Sequence, residues 1–485
     1  MFIVGREKEL ELLKKIYDSK KPELVIVRGR RRVGKTYLID NAYRNYFIFK
    51  HTGISSSELE KDEDTMLQQQ LNFFVQSLKR HGLVCEEKIN NWADAFFALE
   101  QLINRHSEEN RCVIFIDELP WLDTPKSQFL AAFSNFWNSF ASKKDNLVVV
   151  VSGSTNSWMD DVFFNSYGGF YHRATREITL APFSLQETKD YLTHNGFVLS
   201  DYEVIRTYMI FGGIPFYLEQ LDSSYPIGKN VDLLFFSNTG ILKNEFDLLF
   251  NSTFKNSEKA KSVVKLLAKK RVGYTMEDIS EHTAISNGGG LTNILNALVS
   301  SNIIIKYSPI NENKNVTYYK LIDPFVLFYL KFIANNKTLD PSYWQDNQFS
   351  QSVIVNNGFA FENLVFYHVE RIKSALGIVG MTMDVLGYKD DDQSAKSSQI
   401  DLLLFRKDNV VDMCEIKYYN DEFVLYSDYL QNLKNKEKTL IKKLKKRQVV
   451  EHVLITPFGL KQNEYSGYFT KVITLKDLFR VGNKL

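Results

Sequence analysis

The chain has 485 residues, 44% of them hydrophobic and 24% charged, with a formal net charge of +2. This length predicts two to four packing units, and the near-balanced charge excludes a globally basic nucleic-acid-coating protein, so any basic surface is local. Three widely spaced cysteines (Cys85, Cys112, Cys414) exclude a disulfide framework or a cysteine zinc site; no run of eighteen apolar residues and no signal-peptide profile occur, so a cytoplasmic protein with no membrane span is expected.

In chain order, residues 6–18 place Leu10, Leu12, Leu13 and Ile16 at helical spacing between charges. Leu24–Val27 is a short apolar run that suits a buried parallel strand, and Lys35–Tyr43 reads as the helix after it. A mixed helical stretch over about 57–107 precedes a second apolar run, Val113–Ile116. Helical signals return at Gln128–Phe140 before a third run, Leu147–Val151. Strands alternating with helices predict an α/β parallel sheet covered on both faces. From Ser184 the strand runs stop: 184–222 reads as a helical lid broken at Gly212–Pro215, with a polar hinge near 222–230. Residues 256–321 read as three short helices and two strands about the turn Asn311–Asn315, the pattern of a winged helix. The remainder returns to mixed helix and strand. The expected domains are 1–183, a nucleotide-binding core; 184–250, lid and hinge; 251–340, winged helix; and 341–485, a C-terminal α/β domain.

The chemistry concentrates at Gly29-Arg30-Arg31-Arg32-Val33-Gly34-Lys35-Thr36, which matches G-x-x-x-x-G-K-[ST] between a strand and a helix. Glycines let backbone N–H groups curl around phosphate oxygens, and the helix N-terminus adds partial positive charge. Lys35 is expected on the β- and γ-phosphates of ATP, and the Thr36 hydroxyl on Mg²⁺. The apolar run ending in Asp117 and Glu118 supplies an acid for Mg²⁺ and a base for the attacking water, so hydrolysis is expected rather than binding alone. Ser154 or Asn156, after the third run, is positioned to sense a γ-phosphate. Arg173 and Arg176 offer guanidinium groups for phosphoryl-transfer charge, or serve as surface ion pairs.

In the C-terminal block, Asp401 lies near the start of one strand-like run and Glu415 and Lys417 alternate on one face of the next. Glu362, where Phe361–Leu364 begins an apolar-periodic helix, offers a third carboxylate. Carboxylates at Glu362, Asp401 and Glu415 with Lys417 could hold Mg²⁺ and activate water against a phosphodiester, or form a cross-strand salt bridge. Lys434, Lys436, Lys438, Lys442, Lys443, Lys445, Lys446 and Arg447 form a basic stretch, read either as phosphate contacts or as a solvated helix face.

VGREKEL at 4–10, GRRRVGKT at 29–36, IDELPWL at 116–122, SGSTNSWM at 152–159, REITLAPFS at 176–184 and GGIPFYL at 212–218 together resemble the archaeal-type prokaryotic AAA ATPases of the STAND-related clade. The resemblance spans nearly the whole chain. It implies an AAA-like P-loop core with helical lid, winged helix and a C-terminal domain of the PD-(D/E)XK nuclease fold, whose D…E-x-K pattern Asp401, Glu415 and Lys417 match. It also implies that Val4 and Gly5 lie near the adenine and that Arg173 is the finger arginine. His172 departs from the glycine-rich surroundings usual there, and Gln399 stands where the nuclease pattern often has an acid. The expectation is an ATP-hydrolysing protein acting on DNA; the competing expectation is an ATP-switched regulator or scaffold whose nuclease-like domain binds without cutting. Homo-oligomer and protein partner both stay open.

Overall fold

The computed structural model describes residues 3–55, 58–60, 62–107, 109–154, 156–165, 170, 173–254, 256–307, 317–336, 340–389 and 399–480. By internal contacts the chain divides into two compact units, Met1–Pro182 with Asn251–Lys255, and Phe183–Phe250 with Asn256–Leu485.

In the first unit five strands, β1 (Glu23–Arg28), β2 (Phe47–Thr52), β3 (Cys112–Asp117), β4 (Leu147–Gly153) and β5 (Arg176–Thr179), form a parallel sheet in the order β2-β3-β4-β1-β5. β3 and β4 are buried along their whole length, which is why they read as unbroken apolar runs rather than as an alternation. β2 and β5 were absent from the sequence expectation. Both are edge strands with half-buried, polar-interrupted sequences (FIFKHT, REIT), so the burial that marks a central strand is missing. The stretch expected as mixed helix is two helices, Glu63–Arg80 and Trp92–Asn104, each N-capped by a side chain, Asp62 and Asn91. They seal one face of the sheet through an aromatic cluster in which Phe74 meets Trp92 edge-on and Phe96 stacks on Phe133 and Phe136. Because all strands run in parallel, the C-terminal ends of β1, β3 and β4 open onto one edge, where ligands of such sheets bind.

The second unit starts with the helices Leu185–His194 and Asp201–Phe211, each with a complete capping box (Ser184/Glu187, Ser200/Glu203). The turn after the second needs glycine: Gly213 has φ +64°, and a Cβ there would lie 2.4 Å from the Phe183 carbonyl oxygen. The expected hinge contains a short helix, Ile227–Val231. Helices Ser257–Leu267, Met276–Thr283 and Gly289–Ser300 then pack with β6 (Tyr274–Thr275), β7 (Ile304–Tyr307) and β8 (Tyr318–Leu321), an antiparallel sheet in the order β6-β8-β7. The expected turn at Asn311–Asn315 lies outside the described residues. The helix Gln351–Tyr367 follows, with Glu362 well inside it rather than at its start.

The C-terminal sheet comprises β9 (Thr382–Lys389), β10 (Gln399–Arg406), β11 (Val410–Ile416), β12 (Val449–Ile455) and β13 (Lys471–Ile473), ordered β13-β12-β11-β10-β9. β9, β10 and β11 are antiparallel neighbours, whereas β11, β12 and β13 are parallel. The helix Ser427–Ile441 lies in the crossover from β11 to β12. Among the described residues no helix is long and apolar enough to cross a membrane.

Candidate functional site

The sheet order of the first unit brings together two motifs far apart in sequence. The loop from β1 carries Gly29 to Gly34 into the helix Lys35–Tyr43, and β4 separates β1 from β3. Gly29 has φ +152°, and an added Cβ would sit 2.3 Å from the Leu180 carbonyl oxygen. Only glycine lets the loop pass that close to the neighbouring chain. Gly34 and Arg32 are also left-handed, with φ +89° and +74°, so successive N–H groups turn toward a common point. Arg30 and Val33 are buried, Arg31 and Arg32 partly so, and the Arg31 guanidinium lies 5.9 Å from the Trp121 ring centre.

Lys35 is buried, and its Nζ donates to the carbonyl oxygens of Gly29 at 3.0 Å and Arg30 at 3.3 Å. Burial pulls its pKa down, while Glu118 and Asp117 work to raise it. An ammonium held only by neutral carbonyls is one for which an anion is the natural further partner. Thr36 Oγ1 donates to Asp117 Oδ2 at 2.6 Å. Asp117 Oδ1 accepts from Glu118 N at 3.0 Å and from the hydroxyl of Ser152. Sequence reasoning did not single out Ser152; it stands beside Asp117 because the parallel register pairs Ile116 with Val151, which only the folded sheet supplies.

Glu118 sits in a left-handed conformation, φ +49°, which lifts its side chain off the strand. Its Oε2 accepts from Ser154 N at 3.0 Å and Ser154 Oγ at 2.8 Å. Ser154 therefore meets the strand-end acid directly. Asn156 starts a short helix. Arg173 is exposed; Tyr171 and His172 lie outside the described residues. At the N-terminus Val4 is buried, Gly5 has φ +63°, and Arg6 Nη2 donates to the Ala181 carbonyl at 2.6 Å. That bond holds the segment against the chain just beyond β5.

In the second unit the antiparallel register pairs Leu402 with Cys414, and one step further sets Asp401 opposite Glu415. Asp401 Oδ2 accepts from Ile416 N at 2.9 Å, and Lys417 Nζ lies 2.7 Å from Glu415 Oε1. The structure thus gathers Asp401, Glu415 and Lys417. Glu415 Oε1 also accepts from the Tyr429 hydroxyl, and Oε2 accepts from Lys436 Nζ at 2.9 Å. Burial works to raise the Glu415 pKa, but Lys417 and Lys436 hold it below its ordinary value. Asp401 is pushed the other way, to about 7, by burial and then by Glu415 and Glu362. Glu362 is committed elsewhere: its Oε1 takes Lys320 Nζ, on β8, at 2.5 Å.

The basic stretch divides. Lys436 is buried on the helix Ser427–Ile441 between Leu433 and Leu440, whereas the residues after Ile441 leave the helix. Leucines three before and four after Lys436 put it on the apolar face, and that spacing was the available signal. Asp401, Lys417 and Glu362 share a cavity of about 520 Å³ with Arg206 and Arg271, two arginines that sequence reasoning passed over. β10 begins at Gln399, an amide where the nuclease pattern often has an acid.

A five-stranded parallel α/β sheet with a phosphate-loop geometry at its carboxyl edge defines a P-loop ATPase-type domain. Residues 3–221, a little under half of the chain, match the family described as an ATPase domain predominantly from Archaea. An uncharacterized protein of Methanocaldococcus jannaschii is 23% identical over 369 residues, covering 74% of this chain and 76% of its own. Among solved structures the chain is similar to a Walker-type ATPase of Pyrococcus abyssi (TM-score 0.46, 18% identity, 68% of this chain and 96% of that one). It is also similar to the ORC2 protein of Aeropyrum pernix in its ADPNP–ADP complexes (TM-score 0.43, 11% identity, 68% and 93%).

Proposed function

We propose that the chain hydrolyses ATP with Mg²⁺ at the Gly29–Thr36 loop and couples that cycle to nucleic acid through its C-terminal half. In that half, 184–250 act as lid and hinge, 251–340 as a winged helix, and 341–485 as a PD-(D/E)XK-like domain. The observation that carries the ATPase reading is the 2.6 Å bond from Thr36 to Asp117, which joins the phosphate loop to the strand acid. The Thr36 hydroxyl and the Asp117 carboxylate are hard oxygen donors of the kind Mg²⁺ takes; once bound, the cation supplies charge neutralisation at the β- and γ-phosphates.

The protein's own groups do the rest. Lys35 exchanges its carbonyl partners for phosphate oxygens, and the loop N–H groups hold the phosphate chain. Glu118 accepts the proton of the attacking water. Ser154, bonded twice to Glu118 Oε2, orients that carboxylate, and its hydroxyl reaches a γ-phosphate only by leaving it. Arg173, being exposed, is open to a phosphate in cis or to one bound by a neighbouring copy. Val4 and Gly5 border the adenine.

The test is a pair of substitutions with nucleotide binding and phosphate release measured separately. Lys35→Ala abolishes binding; Glu118→Gln keeps binding and stops turnover. Turnover retained in Glu118→Gln removes Glu118 from the mechanism.

A further inference from the structure

The carboxylate centre of the second unit has the residues of a metal-dependent phosphodiesterase, but its Glu415 has no vacant oxygen. Both oxygens of Glu415 are taken: Oε1 by Lys417 Nζ at 2.7 Å and by the Tyr429 hydroxyl, Oε2 by Lys436 Nζ at 2.9 Å. Glu415 and Lys436 are both buried, so water does not compete for these bonds. Glu362, the other acid expected to help, has an ammonium of its own in Lys320. Among the described residues no three His, Cys, Asp or Glu side chains are grouped to hold a metal ion. A divalent cation at Glu415 would have to displace one ammonium and then sit beside the other, and hard cations of this kind need several anionic or carbonyl oxygens. The residues present do not fit the metal that the nuclease resemblance implies.

The cavity above this centre points to a different use. Arg206, on the helix Asp201–Phe211, and Arg271, in the turn before β6, both reach it, and neither pairs with a carboxylate among the described residues. Arg206 Nη2 donates to Gln348 Oε1 at 3.0 Å and Arg271 Nη2 to the Val355 carbonyl at 2.9 Å. Each keeps guanidinium donors over, in the fork geometry that suits phosphate. Two exposed aromatic rings, Phe349 and Tyr419, border the same space, and the Arg206 guanidinium lies 5.1 Å from the Phe349 ring centre. Arginines interleaved with open ring faces are what single strands use for backbone and base. About 520 Å³ is the size of a small-molecule site rather than a duplex channel.

We propose that this cavity is a metal-independent binding site for the phosphate-bearing end of a single-stranded nucleic acid, with Lys436 standing where a catalytic cation would be needed. The proposal rests on the nucleic-acid reading of the C-terminal half and adds its substrate class and the absence of cutting. Arg206 and Arg271 hold the terminal phosphate, Phe349 and Tyr419 stack on the adjacent base, and Lys417 stays with Glu415.

Binding of a 3′-labelled short DNA strand to the full chain is followed by fluorescence anisotropy, comparing 5′-phosphorylated, 5′-hydroxyl and blunt duplex forms in EDTA and in Mg²⁺. The expected result is equal affinity in EDTA and Mg²⁺, preference for the phosphorylated single strand, and intact product on a gel. Arg271→Ala, at an exposed position, and Arg206→Lys, which keeps the charge, each weaken binding about tenfold or more. Titration with Mn²⁺ without ATP reveals no site that Glu415→Gln removes. Binding that requires a divalent ion, Glu415-dependent Mn²⁺ binding, or cleavage lost in Lys417→Ala overturns the proposal while leaving the nucleic-acid reading intact. Equal affinity for both 5′ ends overturns it as well, as does competition by a free mononucleotide as effective as the strand, which would make the ligand a nucleotide. No binding of any strand in any condition overturns both the proposal and the reading beneath it.

Discussion

Replacing Lys320 by methionine tests the buried ion pair that ties β8 to the helix Gln351–Tyr367. Lys320 Nζ and Glu362 Oε1 are 2.5 Å apart, and the two side chains are only 3% and 6% exposed. At an effective dielectric constant of 20, two unit charges at that distance attract by about 7 kcal/mol. Desolvating both ions costs several kcal/mol each, so the intact pair contributes little net stability. Removing one partner is different. The Glu362 carboxylate stays buried with its principal counter-charge gone, which costs about 3–5 kcal/mol. Lys320 also lies 4.3 Å from the Phe366 ring centre, a contact that methionine's flexible chain partly replaces. Lys320→Met should therefore lose at least about 3 kcal/mol, while Lys320→Met with Glu362→Leu should return to within about 1 kcal/mol of the wild type, since the burial penalty disappears with the charges. Urea unfolding of the four proteins in the double-mutant cycle, followed by circular dichroism, measures both numbers. A loss under about 1 kcal/mol in the single variant, or a double variant no better than the single, would refute the argument that this pair is buried and coupled.

Asp401 gives a pH signature. Its folded pKa is raised to about 7, above the roughly 3.9 of an unfolded chain. Its contribution to stability is thus fully present below about pH 4 and is lost as pH rises through about 7. Asp401→Asn should flatten the fall in stability between about pH 4 and pH 7 seen in urea titrations, and identical slopes in both proteins would contradict the raised value. Gly29→Ala should abolish ATP-analogue binding with far-ultraviolet circular dichroism unchanged, because the new Cβ meets the Leu180 carbonyl at 2.3 Å; an affinity within threefold of wild type would show that the loop has room to shift. Gly290→Ala, inside the helix Gly289–Ser300 with nothing within 4 Å of the added Cβ, should stabilise by about 0.5–1 kcal/mol, and a destabilisation would show a backbone need for glycine there.

The features legible in the sequence are local ones. The phosphate loop and the three central strands were legible because each depends on residues adjacent in the chain: glycines where φ is positive, and apolar runs where both sheet faces are covered. The pairing of Asp401 with Glu415 and Lys417 was also visible, since two antiparallel neighbours joined by a short turn leave little freedom in register. Tertiary structure decided what shares a site across long separations. Only the sheet order puts Thr36 against Asp117 and Ser154 against Glu118. Only packing made β2 and β5 strands, because edge strands take half their order from a neighbour. Lys436, one of eight basic residues in its stretch, became the buried partner of Glu415 because a charge inside a fold needs a counter-charge within reach, and no pattern in one segment states which segment will provide it.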